Sequence, residues 1–397
     1  MRPLHLLLTA LHTTLSLASA DPTSPYPDLR STGDSVDIAP NYVSRPSAIL
    51  YRTPKNESGI LAVYTIKNYQ QNKTTLTTSR SMDGGATWTQ LGEVYRGDSR
   101  VEFVDHGSAV QFPESGKIVV AFERRDSHGV GGLHLETDAY HIAIYESVDG
   151  GYLWKELAEI EDVGEKGDRI GGSANLEVWD PHLRLTRNGT LQLFYSTPNE
   201  LSTADHLGIN IRVSVDQGKS WGPPSTVTGN NKAVEGVPKI VEWNDTVYCA
   251  FQSKHIHRGD QEPSMKISTH LIRSSDGGYT WHGRQVFMTA TGDRDIAFPQ
   301  LVNVEGSLVS IALTNVPYPK TVGMKNSEVD LSVHISVDNG QTWRGHASGA
   351  EGNVGTLVSG LSDPFLLHLG DREMLLLWVN GGTRPGAGMS ERYTLTS

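Results

Sequence analysis

Cysteine is nearly absent: the 397 residues hold one, Cys249. A lone thiol excludes an intramolecular disulfide framework, and no Cys/His cluster has zinc spacing. Cys249 stands in the strand-like run Val247-Tyr248-Cys249-Ala250-Phe251 and reads as a small buried hydrophobe. Helical periodicity is missing, which points away from a helical fold. Beyond the N-terminus no segment approaches 18 apolar residues, so no transmembrane helix is expected. Positive charge is also in short supply. With 34 Lys and Arg against 45 Asp and Glu, the formal net charge of −11 argues against nucleic acid or an anionic membrane as partner. It is unhelpful to an anionic substrate too, although local arginines could override it. Nothing in the sequence points to a cofactor.

What the chain does contain is a repeat. The pattern S-x-D-x-G-x-[TSL]-W occurs five times, with aspartates Asp83, Asp149, Asp216, Asp276 and Asp338, spaced 60 to 67 residues apart. A regular period of that length marks a supersecondary unit that cannot bury its own core alone. Within the motif the carboxylate can cap turn amides, the Gly supplies positive φ, and the Trp folds back as an apolar plug. Each copy follows a strand-like run, so each is expected on a strand-to-strand turn. Five equivalent turns around a ring cannot all line one active site, so the box aspartates are read as structural. This is the Asp-box, and the chain resembles the β-propellers of the sialidase superfamily. The resemblance implies an all-β, six-bladed β-propeller with one blade lacking its box.

The ends add context. Met1-Arg2, an apolar stretch from Leu4 to Leu17 and Ala18-Ser19-Ala20 read as a secretory signal cut after Ala20. Sequons at Asn56, Asn72, Asn188 and Asn244 fit a secreted, extracellular glycoprotein. The expected organisation is a signal at 1–20, a loose lead-in at 21–35 and one propeller over 36–397, present as a monomer. Strand-like runs recur at Ile60 to Tyr64, Lys117 to Phe122, Leu191 to Tyr195, Val247 to Phe251, Leu308 to Leu313 and Glu373 to Val379. Each fits an inner or second strand of a blade. The box-free ends are expected to pair in one blade and close the ring.

Chemistry is sought between the boxes. Trp179-Asp180-Pro181-His182-Leu183-Arg184 places a carboxylate between an indole and a proline, where a dry wall would raise its pKa toward that of a general acid. The bland alternative is a solvated turn Asp. Here a second resemblance enters. This run, followed by Leu191-Gln192-Leu193-Phe194-Tyr195-Ser196, is similar to the W-E-P-F-L-R and L-Q-L-Y-Y-S-like segments of the secreted fungal exo-α-1,5-arabinanases, glycoside hydrolase family 93. Phe122-Glu123-Arg124-Arg125-Asp126 looks like that family's F-R-N-H-D. Gly236-Val237-Pro238 matches its G-M-P, and Ala297 to Val304 and Gly381-Gly382 continue the likeness over most of the chain.

The resemblance implies an exo-acting glycoside hydrolase whose partner is an extracellular carbohydrate, arabinan first. Asp180 takes the place of the acid/base Glu. Trp179, Arg184, Arg45, Arg124, Arg125 and Asp126 are expected to line the sugar site. The family nucleophile, a Glu in an A-V-F-E-like strand, is replaced by Gln252 in Cys249-Ala250-Phe251-Gln252. A carboxamide cannot form a glycosyl ester. Glu235, before Gly236-Val237-Pro238, is the candidate substitute and is expected to face the channel. With Asp180 it would suit an inverting separation of about 6.5–9.5 Å. Both could instead be ligands for sugar hydroxyls. Two rivals stand beside this reading: a catalytically degenerate carbohydrate-binding propeller, and an exo-α-sialidase. The sialidase arginine motif R-I-P is out of register with Ser44-Arg45-Pro46. His255-Ile256-His257 with Asp260 could suggest a metal, but no third ligand has recognisable spacing, and the run reads as a polar loop after the Phe251 strand. Asp105-His106, His128 and His134 stay open.

Overall fold

A computed structural model describes residues 28–39, 42–68, 70–99, 102–127, 137–161, 178–199, 207–229, 233–257, 264–288, 296–314, 330–345, 356–359, 361–381 and 386–396. Among these the fold is all-β, in six antiparallel sheets. Strands β1 (Asp28–Ser31) and β2 (Val36–Ala39) come first and belong to the last blade. Blade 1 holds β3 (Val43–Arg52), β4 (Ser58–Asn68), β5 (Lys73–Ser81) and β6 (Thr89–Asp98). Blade 2 holds β7 (Glu102–Gln111), β8 (Ile118–Ser127), β9 (Thr137–Ser147) and β10 (Lys155–Glu161). Blade 3 holds β11 (Trp179–Leu185), β12 (Leu191–Thr197), β13 (Gly208–Ser214) and β14 (Ser225–Thr228). Blade 4 holds β15 (Ala233–Trp243), β16 (Thr246–His257), β17 (Ser264–Ser274) and β18 (His282–Met288). Blade 5 holds β19 (Ile296–Val304), β20 (Ser307–Thr314), β21 (Asp330–Ser336), β22 (Arg344–Gly345) and β23 (Thr356–Ser359). Blade 6 is β24 (Leu361–Gly370), β25 (Glu373–Asn380) and β26 (Gly388–Thr396), joined by β1 and β2 on β26.

The ring therefore closes as expected, through strands from the two ends of the sequence. The lead-in is shorter than the sequence suggests, because Asp28↔Thr396 to Ser31↔Tyr393 are strand pairs of blade 6. The signal segment lies outside the described residues. All six apolar runs singled out above fall on the second strand of a blade. That position is covered on both faces by neighbouring blades, so alternation disappears; all seven residues of β12 are buried. The core is six slabs, one between each pair of adjacent blades. One example packs Phe194 and Ile211 of blade 3 against Cys249, Phe251 and Ile272 of blade 4. Burial there pushes the Cys249 thiol pKa up, as expected of an inert side chain.

The boxes turn the third strand into the fourth. In blade 1 Ser81 Oγ donates to Asp83 Oδ1 (2.7 Å) and accepts from the Gly85 N–H (2.7 Å), while Asp83 Oδ2 accepts from Thr87 Oγ1 (2.6 Å). The same bonds recur at Asp216, Asp276 and Asp338. Asp149 keeps the Ser147 hydroxyl but lacks the second one, since Leu153 stands there, and accepts the Tyr152 and Leu153 N–H groups. Four box tryptophans donate from Nε1 to the carbonyl of their own box glycine; Trp88 donates to Ser390 Oγ in blade 6.

A second six-fold device lies on the inner strands. Each carries a bulge in which two residues oppose one: Arg45-Pro46, His106-Gly107, Asp180-Pro181, Val237-Pro238, Phe298-Pro299 and Asp363-Pro364. The first residue of every pair has positive φ, from 49° at Arg45 to 57° at Val237. Bulges re-aim side chains, and a proline without an N–H fits where the ladder is interrupted. Left-handed backbone in residues other than glycine costs about 1–2 kcal/mol each, so the ring of bulges stores strain around the channel.

Candidate active site at the channel mouth

All six bulge residues line one narrow cavity, together with Ser47, Lys239, Gln300 and Phe365. The charged ones are paired. Arg45 Nε lies 3.0 Å from Asp363 Oδ1, and its guanidinium packs 4.8 Å from the centre of the Phe298 ring. His106 bridges two carboxylates, with Nε2 2.8 Å from Asp180 Oδ1 and Nδ1 2.7 Å from Glu123 Oε2. Glu123 is fully buried on β8 and also accepts from Arg125 Nε at 2.7 Å. Asp105, beside His106, accepts from Lys67 Nζ (2.8 Å) and Ser44 Oγ (2.7 Å).

The electrostatics follow from this pairing. Burial and Arg45 work against a charged imidazole, yet Asp180 and Glu123 prevail and carry His106 up to about 9. Burial would raise Asp180, but the imidazolium, its hydrogen bond and Arg45 hold that carboxyl well below its ordinary range. Asp105 is held at about 2, against its own burial, by His106, Lys67 and Arg45. The expectation that an indole raises the Asp180 pKa is thereby corrected: the proton belongs to His106. Trp179 is taken up elsewhere. Its ring is covered by the Arg125 guanidinium at 3.6 Å and faces Tyr140 at 6.1 Å, in the seam between blades 2 and 3.

The other expected site residues disperse. Arg124 points to the far face of β8, where it pairs with Glu159 at 3.0 Å. Arg184 is tied to Glu242 and to the Gly277 carbonyl of the blade 4 box, on the side of the boxes. Glu235 does not line the cavity. It is fully buried where blades 3 and 4 meet, with Arg284 of blade 4 at 2.5 Å and Thr228 Oγ1 of blade 3 donating at 2.8 Å. The reason is alternation along β15: Gly236, its neighbour, is the residue turned toward Asp180, and a Cβ there would sit 3.4 Å from Asp180 Oδ2. Gln252 accepts the Phe298 N–H at 3.2 Å and so holds up a cavity residue. The Asp126 side chain, Asp260, His128 and His134 lie outside the described residues. His255 and His257 continue strand β16 where a loop was expected. Asn56, Asn72, Asn188 and Asn244 are exposed on turns between strands.

Asp363, His106, Glu123 and Lys239 were not among the residues expected at the site. A signal for two of them exists: the X-Pro or X-Gly dipeptide recurs once per blade, six times, and its X residues include His106 and Asp363 beside Asp180. Blades 3 and 6 are opposite in a six-membered ring, so Asp180 and Asp363 face each other across the channel on matching Asp-Pro bulges.

The fold is the sialidase-like propeller and resembles glycoside hydrolase family 93. An α-L-arabinanase of Penicillium chrysogenum, solved with arabinobiose, matches with TM-score 0.58 and 16% identity over 92% of this chain and 98% of that one. The family 93 α-L-arabinofuranosidase of Fusarium graminearum, also solved with arabinobiose, gives 0.56 and 15% over 91% and 97%. A Trypanosoma rangeli sialidase solved with sialic acid gives 0.52 and 13% over 92% of this chain and 56% of its own. No protein-family model matches the sequence, and no curated protein matches it.

Proposed function

We propose that the protein is a secreted, exo-acting glycoside hydrolase that takes the terminal unit of an extracellular polysaccharide, with arabinan as the first substrate to test. The observation that carries this reading is the Glu123–His106–Asp180 array facing the cavity, with Asp180 in the Trp-Asp-Pro sequence that resembles the family's acid/base motif. The proton of the array rests on His106, and the His106–Asp180 pair as a unit serves as its donor. Asp363 is the facing carboxylate available to a water in an inverting displacement. The experiment is hydrolysis of debranched arabinan and linear arabino-oligosaccharides, with a sialoside control. Asp180→Asn should lower kcat about 10²–10⁴-fold; unchanged turnover would remove Asp180 from the chemistry.

A second reading is favoured by the state of Gln252 and Glu235. The former nucleophile position is a carboxamide engaged with the Phe298 backbone, and the nearest substitute is locked to Arg284. A propeller that binds a glycan without cleaving it has this arrangement. Silence of the wild type with turnover gained in Gln252→Glu would select it. Turnover of the sialoside alone would move the substrate and leave the fold assignment standing.

A further inference from the structure

The residue two places after each bulge residue forms a second ring: Ser47, Ser108, His182, Lys239, Gln300 and Phe365. Only Lys239 in that ring is charged. His182 is neutral, because burial and the adjacent Lys239 push it down to about 3. Each of the other cations at the mouth has a carboxylate: Arg45 has Asp363, Lys67 has Asp105, His106 has Asp180 and Glu123, and Arg125 has Glu123. Lys239 has none among the described residues. Its one specific contact is a cation–π approach, Nζ lying 5.6 Å from the centre of the Phe365 ring. Asp180 is its closest electrostatic partner, but both oxygens of that carboxylate are engaged, Oδ1 by His106 and Oδ2 by the Val237 N–H at 3.2 Å.

An ammonium half-buried in a narrow cavity without a counter-ion is costly. Burial foremost, with Arg45 adding to it, pulls Lys239 down to about 8 despite the attraction of Asp180. An anion brought in by a ligand would relieve that cost, and the two carboxylates that share the cavity, Asp180 and Asp363, are each already paired with a cation. The wall beside it is aromatic and apolar, from Phe298, Phe365, Pro364 and Val237, which suits the carbon face of a sugar ring.

We propose that Lys239 is the specificity determinant of this site and receives the carboxylate of an acidic sugar, a uronate or a sialate, at the channel mouth. The inference rests on the channel mouth being a sugar site and concerns which sugar enters it. Neither the Trp-Asp-Pro motif nor the arabinanase resemblance implies it.

The test is calorimetric titration of the full chain with galacturonate, N-acetylneuraminate and, as neutral controls, galactose and arabinose. Wild type should bind one of the two acids at least about tenfold more tightly than its neutral control, the worth of one charge-assisted contact. Which acid it is identifies the source of the carboxylate. Lys239→Met, which keeps the packing on Phe365, should erase the preference and leave the melting temperature unchanged or higher; Lys239→Arg should keep it. Equal affinity for acid and neutral sugars, no binding of either acid at millimolar concentration, or a preference that survives in Lys239→Met would each overturn the proposal. Arabinan hydrolysis by the same variants separates the outcomes. Turnover without any acid preference removes only the Lys239 assignment, and acid binding without turnover of arabinan, a sialoside or a galacturonide removes only the hydrolase.

Discussion

The carboxylates of the box rim and those of the channel mouth are the same chemical group solved in two ways. At the rim, Asp83 finds its donors at Ser81 and Thr87, two and four residues away. At the mouth, Asp180 meets His106, 74 residues earlier, and Asp363 meets Arg45, from the opposite end of the chain. A rim carboxylate is satisfied by its own turn and would be satisfied in any blade. A mouth carboxylate is satisfied only when the ring is assembled, and what satisfies it is a full charge. The rim therefore contributes local rigidity, and the mouth depends on the tertiary fold and repays it with reactivity.

The sharpest way to break this contrast is to remove one member of each set. Glu123→Ala strips from Arg125 the one carboxylate that pairs with it among the described residues, and one of two from His106, and should cost about 3–5 kcal/mol in urea denaturation. Asp83→Ala removes hydrogen bonds on an exposed turn and should cost about 1 kcal/mol. Similar losses for the two would dissolve the distinction.

Alkali should reach the mouth and spare the rim. The His106 pKa rises from its ordinary 6.5 to about 9 on folding. Its stabilisation is therefore complete below the unfolded pKa of about 6.5 and is lost as the pH climbs through about 9, at most about 3 kcal/mol in all. His106→Gln should flatten that loss in denaturation curves between pH 6 and pH 10 (roughly the window set by the two pKa values). The box aspartates carry the opposite sign. Asp83, held near 2 by Thr87 and Ser81 against its partial burial, stabilises above about 3.8 and stops doing so as the pH falls through about 2.

The smallest effect tests the strain. Val237 is a β-branched residue at φ 57°, an unfavourable backbone for it. Val237→Gly should stabilise the fold by up to about 1 kcal/mol, the relief of left-handed strain less the entropy glycine adds to the unfolded chain. A loss would show that Val237 packing outweighs the backbone cost.

The same contrast explains what could be read in the sequence. The box is legible because serine, aspartate, glycine and tryptophan sit within eight residues and each has its partner in that window. The second strands are legible because a strand buried on both faces becomes a continuous apolar run, as at Leu191 to Tyr195. Of the expected site residues, Asp180, which proline and tryptophan mark, and Arg45, before Pro46, reach the cavity. Glu235 has the right residue type next to the right motif, yet strand alternation turns it away from the channel toward Arg284. His106 and Asp363 have ordinary neighbours; only superposing the six bulges brings them to one ring. Lys239 becomes informative through the carboxylate it lacks, which no local pattern records.

Blade 6 carries a further consequence, one of timing. Its strand β26 comes from the last residues of the chain and lies between β25 and β1, so Asp28 to Ser31 must wait for residues made some 360 positions later. At about 5–20 residues per second, that interval is roughly 20–70 s of synthesis. Over that interval the early strands have no edge to join, and the first and fifth blades each keep a face without its neighbour. The ring therefore matures last at its seam. Because Arg45 and Asp363 sit on either side of that seam, the channel mouth becomes a site only at the final step of folding.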